Sequence, residues 1–465
     1  MLRFFRINDP YRLLGVLFLL VMVCLPLFID PAALTIGELK NALLGEAISS
    51  GQTMYVEVYD DTPPLAAAFF GLTDLIFGRS YLALQMVAFL ILFFQAAYFA
   101  MVLINNKAYE ENTYLPALIF GLLALLSFDF VSFSAELLAS TFLLFTLNNL
   151  FKEIEFRVQR DETVLNIGLT LGLASLLVFS YALFLPAVIF LLAAFARLSV
   201  RKVLLLMFGF ILPHGFLTVL YLSWGNAALL WQHFYLPNFV FSKQALISWG
   251  SLFFISAVPL AYFLFSLIML NRVARFTRYQ SQLLQVLFIW MAPCAMVLIF
   301  TKELTPHSLL VLLPTLTYFI THYFLLIRRR WISEIMLWLF VGSLISICLL
   351  SRYNHIGRID YSGLFVSSKE HYPFKGKKVT VLSNDLSVYR DNVLGGYFLN
   401  WNLSKDLFEN LMYYENVIVL NNAFQSNPPD VIIDKSNLME GVLKRIPSLR
   451  KQYRKEGDHY IRISS

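Results

Sequence analysis

Long apolar runs separated by short polar ones fill the chain up to about residue 351; beyond Arg352 the apolar positions come only a few at a time. A helix needs about 20 apolar residues to cross the hydrocarbon of a bilayer. By that measure the runs near 11–30, 81–104, 114–133, 136–151, 163–180, 182–197, 202–223, 249–271, 281–301, 307–327 and 331–350 predict eleven transmembrane helices. The first is expected to be retained as a span, because the run after Arg12 is long and ends in PLFIDP without a small-residue cleavage site. Between the first two spans lies a long interval, 31–80. Its Ile36, Leu39, Leu43, Leu44 and Ala47 recur at helical spacing and predict an amphipathic helix lying in the interface. YVEVYDD then reads as a short extended run, and Pro63–Pro64 ends it and opens a second helix. That helix, PLAAAFFGLTDLIFG, is too short to span and predicts a re-entrant or surface segment. In the tail, KKVTVLS (377–383), ENVIVLN (415–421), DVIID (430–434) and HYIRIS (459–464) read as strands, with helical stretches near 404–413 and 437–445. Alternation of this kind predicts a small α/β domain with a largely parallel sheet. The expected organisation is a transmembrane domain over 1–351, with 31–80 as its first extracytoplasmic loop, and an extracytoplasmic α/β domain over 352–465.

Composition agrees with a polytopic membrane protein: 58% of the 465 residues are hydrophobic and 14% charged, against about 25% charged in soluble domains. The net charge of +6 does not imply nucleic acid, because the basic residues sit at the ends of apolar runs. Arg3, Arg6 and Arg12 put the N-terminus in the cytoplasm, and alternate loops carry the other basic clusters, such as Arg328–Arg330. The intervals 31–80, 128–137, 224–248, 302–306 and the tail then fall outside. Cys24, Cys294 and Cys348 lie inside apolar runs at no metal-binding spacing. The first outside interval is acidic, with Glu38, Glu46, Glu57, Asp60, Asp61 and Asp74 against Lys40 and Arg79.

Read in order, these segments resemble a known family. An acid near the start of an amphipathic helix, Tyr55-x-x-x-Tyr59-Asp60-Asp61-Thr62-Pro63-Pro64-Leu65, and an apolar half-helix ending in Phe77-Gly78-Arg79-Ser80 are similar to the first outer loop of family C (GT-C) glycosyltransferases. The likeness is to protein O-mannosyltransferases and to lipid A aminoarabinose transferases of bacterial type. SAELLASTFLLFTL (134–147) resembles the family's second acidic opening of a span, and KELTPHSLLVLLP (302–314) its basic-then-His segment before a late span. The tail resembles the small α/β domain of many bacterial members.

The resemblance implies a GT-C fold and an enzyme that moves a sugar from a polyprenyl-phosphate donor to a lipid, glycan or protein acceptor on the outer face of a bacterial inner membrane. It assigns catalytic roles to Glu38, Asp60, Asp61 and Glu136, with Asp129 a neighbour of the last. It assigns substrate contacts to Tyr55, Tyr59, Arg79, Lys243, Lys302 and His307. It requires no cofactor outright; a divalent metal ion is the one candidate, with Glu38 and Asp60 as its ligands. Membrane lipids are partners and nucleic acid is not. Two positions depart from the family: Gly37–Glu38 where relatives carry Asp, and Thr62 where many carry a Lys that meets the carrier phosphate.

Each assignment has a structural alternative. Glu38 can be the polar face of its helix, Asp60–Asp61 a turn that bonds nearby amides, and Glu136 a carboxylate favoured by a helix N-terminus. Lys302 and His307 can be interfacial anchors, and Trp231, His233 and Tyr235 interfacial aromatics. His214 and His322 fall within spans, where packing is the commoner role. Two other functions fit the same composition: a transporter or flippase of lipid-linked saccharides, and a silent GT-C-like scaffold of an envelope complex.

Overall fold

The computed structural model describes residues 1–155, 161–196, 198–239, 244–273, 276–353, 355–367 and 372–463. The chain divides into two compact units. One comprises Met1–Ala32, Tyr81–Leu217 and Phe241–Leu364; the other comprises Ala33–Ser80, Thr218–Val240 and Phe365–Ser465. The long first interval thus groups with the tail, a partition that sequence order does not reveal.

The first unit is helical. Among the described residues seven helices are long and apolar enough to cross a membrane: Arg12–Ile29, Tyr81–Asn105, Val200–Ser223, Trp249–Arg272, Arg278–Phe300, Pro306–Leu326 and Arg330–Arg352. Each coincides with an expected span. Several carry an exposed apolar stripe at helical spacing, such as Leu14, Phe18 and Met22, or Trp331, Ile335 and Trp338. Such a face suits lipid, and the protein is an integral membrane protein.

The other four expected spans do not meet that length and composition. The 114–133 run forms only Leu115–Leu123, nine residues long, followed by a 3-10 turn Phe128–Val131. Nine residues rise about 14 Å, half the hydrocarbon thickness. Every residue of Leu115–Leu123 is buried, so its apolar character comes from protein packing and not from lipid. Asp161–Ser175 has 15 residues, and 179–195 breaks into a 3-10 turn and the helix Phe184–Phe195. Ala135–Ile154 is 20 residues long but carries Glu136, Lys152 and Glu153. Seven of the eleven expected spans therefore have helices of that length and composition among the described residues. Asp161–Ser175 crosses Val200–Ser223 closely: a Cβ on Gly168 would lie 2.2 Å from the Leu206 carbonyl oxygen, and one on Gly209 2.4 Å from that of Leu165. Small residues are what such a crossing demands. All three cysteines are buried and free.

In the second unit the two helices of the first interval are Ile36–Ser49 and Pro64–Phe77. Leu39, Leu43, Leu44 and Ala47 of the predicted stripe are buried, packed in part against the second helix, where Gly45 meets the Phe70 carbonyl. The tail forms a five-stranded sheet in the spatial order Val393–Leu394, Lys378–Val381, Val431–Ile433, His459–Arg462, Tyr453–Glu456. The first three strands are parallel and the last two antiparallel, so the sheet is mixed. The expected strand 415–421 is instead part of the helix Tyr414–Ser426. Its Leu420, Ala423 and Phe424 are buried at helical spacing, and that 3.6-residue stripe overrides the β propensity of Val417, Ile418 and Val419. Phe398, Phe408, Phe424, Ile432, Met439 and Tyr453 build a core that also includes Tyr59. The Tyr59 amide donates to the Tyr397 carbonyl (2.7 Å) and its carbonyl accepts from the Asn400 amide (2.9 Å).

Candidate active site

Two polar clusters stand out, one in each unit. In the second unit, Thr35 caps the Ile36–Ser49 helix in a full capping box. The Glu38 amide donates to Thr35 Oγ1, while Glu38 Oε2 accepts from the Thr35 amide (3.1 Å) and hydroxyl (2.9 Å). The box fixes the helix that carries Lys40. A tight turn follows, in which Tyr55 adopts φ 67° and its amide donates to the Val58 carbonyl (3.0 Å). Tyr55 is fully buried against Phe234, Tyr221 and His233, and its hydroxyl donates to the Thr62 carbonyl at 2.6 Å. Burial pushes its phenol well above the ordinary tyrosine value, with Tyr221 and Asp60 adding to the rise.

Asp60 and Asp61 are buried at the centre of this arrangement, their side chains 0% and 7% exposed. Asp60 Oδ2 accepts from the Thr62 amide (3.2 Å) and hydroxyl, an Asx turn that holds the backbone ahead of Pro63–Pro64. The Lys40 ammonium lies 3.2 Å from Asp60 Oδ1 and 3.5 Å from Asp61 Oδ1. Asn400 donates to Asp61 Oδ1 (2.9 Å), and Asn238 donates to the Asp61 carbonyl (3.1 Å). His233 Nδ1 donates to the Tyr55 carbonyl (3.0 Å); burial lowers its pKa, the carbonyl bond opposing.

In the first unit, Ser134 caps the Ala135–Ile154 helix and puts Glu136 in its first turn. Asp129 lies on the 3-10 turn Phe128–Val131, and His307 on the 3-10 segment Pro306–Leu312. His307 Nδ1 is 2.7 Å from Asp129 Oδ2, and its Nε2 is 3.0 Å from Ser132 Oγ; Asp129, Ser132 and His307 are all buried. With the Nδ1 proton toward Asp129, Nε2 accepts from the Ser132 hydroxyl. Glu136 feels the charges of His307, Glu303 and Asp129, and among the described residues its carboxylate makes no ion pair. Tyr181 in turn feels Glu136.

No protein-family model matches the chain, and no characterised protein matches it by sequence. Solved structures do. ArnT from Cupriavidus metallidurans bound to undecaprenyl phosphate aligns over 93% of this chain and 88% of its own, at 12% identity and TM-score 0.51. The apo state of the same protein aligns over 82% and 85%, with the same identity and TM-score. The chain has the GT-C fold. The apo oligosaccharyltransferase of Archaeoglobus fulgidus also aligns, over 91% of this chain and 69% of its own, at 10% identity and TM-score 0.45. At such identities the likeness concerns the path of the backbone, and residue roles rest on the side chains.

Within this GT-C fold the expected site residues belong to both units. Tyr55, Tyr59, Asp60 and Asp61 share the turn of the second unit, while Glu136 and His307 share the cluster of the first. Tyr55 and Tyr59 are core side chains there, and burial raises the Tyr59 phenol to about 12. Glu38 is engaged in its capping box. Arg79 donates to the carbonyls of Asn392 (3.0 Å) and Tyr389 (2.5 Å) and lies 3.9 Å from Glu46. Lys302 is half-buried beside Glu303, in the segment that pairs with Gln244–Ala245. Lys243 lies outside the described residues. Lys40, Asn238, Asn400 and Ser132 were not singled out from sequence. A signal existed for Lys40, one of two cations in an interval of six acids, but Asn400 lies 339 residues from its partner.

The metal expectation meets a specific obstacle. Glu38 Oε2 is taken by Thr35, and the Asp60–Asp61 pair is occupied by the Lys40 ammonium. Among the described residues no three His, Cys, Asp or Glu side chains gather as a ligand set.

Proposed function

We propose that the protein is a membrane glycosyltransferase that moves a sugar from a polyprenyl-phosphate carrier to a hydroxyl of a lipid, glycan or protein acceptor. The observation that carries this reading is the backbone match to ArnT bound to undecaprenyl phosphate, over 93% of the chain, together with the Glu136 carboxylate within the electrostatic reach of the Asp129–His307 pair. A glycosyl phosphate leaves readily, so the protein need only orient the acceptor and take its proton. Glu136 is the assigned base. The acceptor oxygen forms the new bond to the sugar carbon as the bond to the phosphate oxygen breaks, the proton passes to Glu136, and the carrier phosphate departs. A single displacement inverts the sugar carbon. His307, held by Asp129, is assigned to orient the reacting groups. Asp60, Asp61 and Glu38 are assigned to shape the first outer loop, being engaged by Lys40, Thr62 and Thr35.

Sidedness follows from charge: Arg3, Arg6 and Arg12 flank the first span and assign it a cytoplasmic start in a bacterial inner membrane. The tail is then periplasmic. The test is mass spectrometry of lipids retained by the purified protein, with Glu136→Gln as the functional arm. The reading expects a bound polyprenyl phosphate in both proteins and a transfer rate at least about 100-fold lower in the variant. Full transfer by Glu136→Gln removes the assigned base. The engaged first-loop acids also favour a silent scaffold, which predicts no donor turnover in the wild type.

A further inference from the structure

We propose that Lys40 is the resident cation of the Asp60–Asp61 pair, and that this loop is built to work without a divalent metal. Two adjacent carboxylates, both buried, repel each other and lose their hydration; they persist only beside a compensating positive charge. A bound metal is one way to supply it. Here the ammonium of Lys40 supplies it, 3.2 Å from one carboxylate and 3.5 Å from the other. The remaining contacts complete the arrangement. Asp60 Oδ2 is taken by the Thr62 amide and hydroxyl, and Asp61 Oδ1 by the Asn400 amide group as well as by Lys40. A divalent ion binds carboxylate oxygen at roughly 2.0–2.6 Å. It would have to occupy the volume the ammonium holds, so the two cations exclude each other by space and by charge. Lys40 is held there by its helix, whose start the Thr35–Glu38 capping box fixes. Lys40 is therefore a positioning residue: it touches no reacting atom but sets the charge and geometry of the loop.

The readout is metal binding, independent of transfer activity. Purified protein is stripped with EDTA and titrated with Mn²⁺, following free Mn²⁺ by electron paramagnetic resonance and stability by melting temperature. The wild type and Lys40→Arg are expected to take up no Mn²⁺ that depends on Asp60 or Asp61, and EDTA is expected to leave their melting temperature unchanged. Lys40→Met is expected to gain Mn²⁺ affinity by about tenfold or more, a gain lost again in Lys40→Met/Asp60→Asn. Mn²⁺ uptake by the wild type that Asp61→Asn abolishes overturns the proposal, as does a Lys40→Met protein that folds and binds no more Mn²⁺ than the wild type. If Lys40→Met does not fold, the wild type and Lys40→Arg still decide, since Asp61-dependent uptake by either one refutes it.

Discussion

Replacing Lys40 by Met removes the charge from the Asp60–Asp61 pair while keeping much of the side-chain volume. At 3.2 and 3.5 Å and an effective dielectric of about 20, each Lys–Asp attraction is on the order of 5 kcal/mol. Desolvation of the three ions takes back several kcal/mol each, so the intact triad contributes little net stability. Breaking it from one side is different, because two buried carboxylates are left without their cation. Loss of one member of a buried pair costs about 3–5 kcal/mol, and Asp60, with a fully buried side chain, puts this site in that range. Asp60→Asn in the Lys40→Met background removes one of the stranded charges while keeping a side-chain oxygen for the Thr62 contacts. The double variant should recover more than half of the loss. A double-mutant cycle on detergent-purified protein, by chemical denaturation or by melting temperature, measures the coupling directly. Additive single losses, with no recovery in the double variant, would refute the ion triad as the organiser of this turn.

Further outcomes follow from other parts of the molecule. Gly168→Leu drives a side chain into the Leu206 carbonyl across the helix crossing and should destabilise the protein by about 1–3 kcal/mol or more, read as a lower melting temperature. Tyr55→Phe leaves the Thr62 carbonyl without its 2.6 Å donor inside the core and should cost about 1–3 kcal/mol by the same assay. His233 is half-buried with its pKa held below 6.5, so the unfolded chain binds the extra proton first. Its contribution is present at pH 7 and lost as pH falls below about 6.5; the melting temperature of His233→Gln should therefore depend less on pH between 7 and 5 than that of the wild type. Asp129→Asn should lower transfer and, by weakening its hold on the imidazole, move the pH profile of the remaining activity; an unchanged profile and rate would remove the Asp129–His307 pair from the mechanism.

Much of the frame was legible in the chain. The stripe Leu39, Leu43, Leu44 and Ala47, the Pro63–Pro64 start of the next helix, and the strands near 378, 431 and 459 rest on local periodicity, and local periodicity survives folding. The departures have three separate causes. Leu115–Leu123 is apolar because it is wholly buried, and composition alone cannot separate burial in protein from exposure to lipid. The run ENVIVLN looks like a strand over seven residues, yet the deciding stripe continues to Phe424 and is helical. Tyr453–Glu456, with three consecutive charged residues after one buried tyrosine, carried no strand signal until its hairpin partner His459–Arg462 was in place. At the site, the acids Asp60, Asp61 and Glu136 were visible as residues, but the company they keep was not. Lys40, Asn238 and Asn400 reach Asp60 and Asp61 from three separate stretches of chain, a meeting that only the folded unit creates.

The proposed reaction is covalent transfer of a sugar off a lipid phosphate. The most direct measurement supplies purified protein in liposomes with a doubly labelled polyprenyl-phosphate sugar and a membrane extract as acceptor source, then separates the lipid products. Covalent transfer yields one free polyprenyl phosphate for each sugar found on an acceptor, with both lost together in Glu136→Gln. Intact donor moved from one leaflet to the other, with no phosphate freed and no effect of Glu136→Gln, would contradict it.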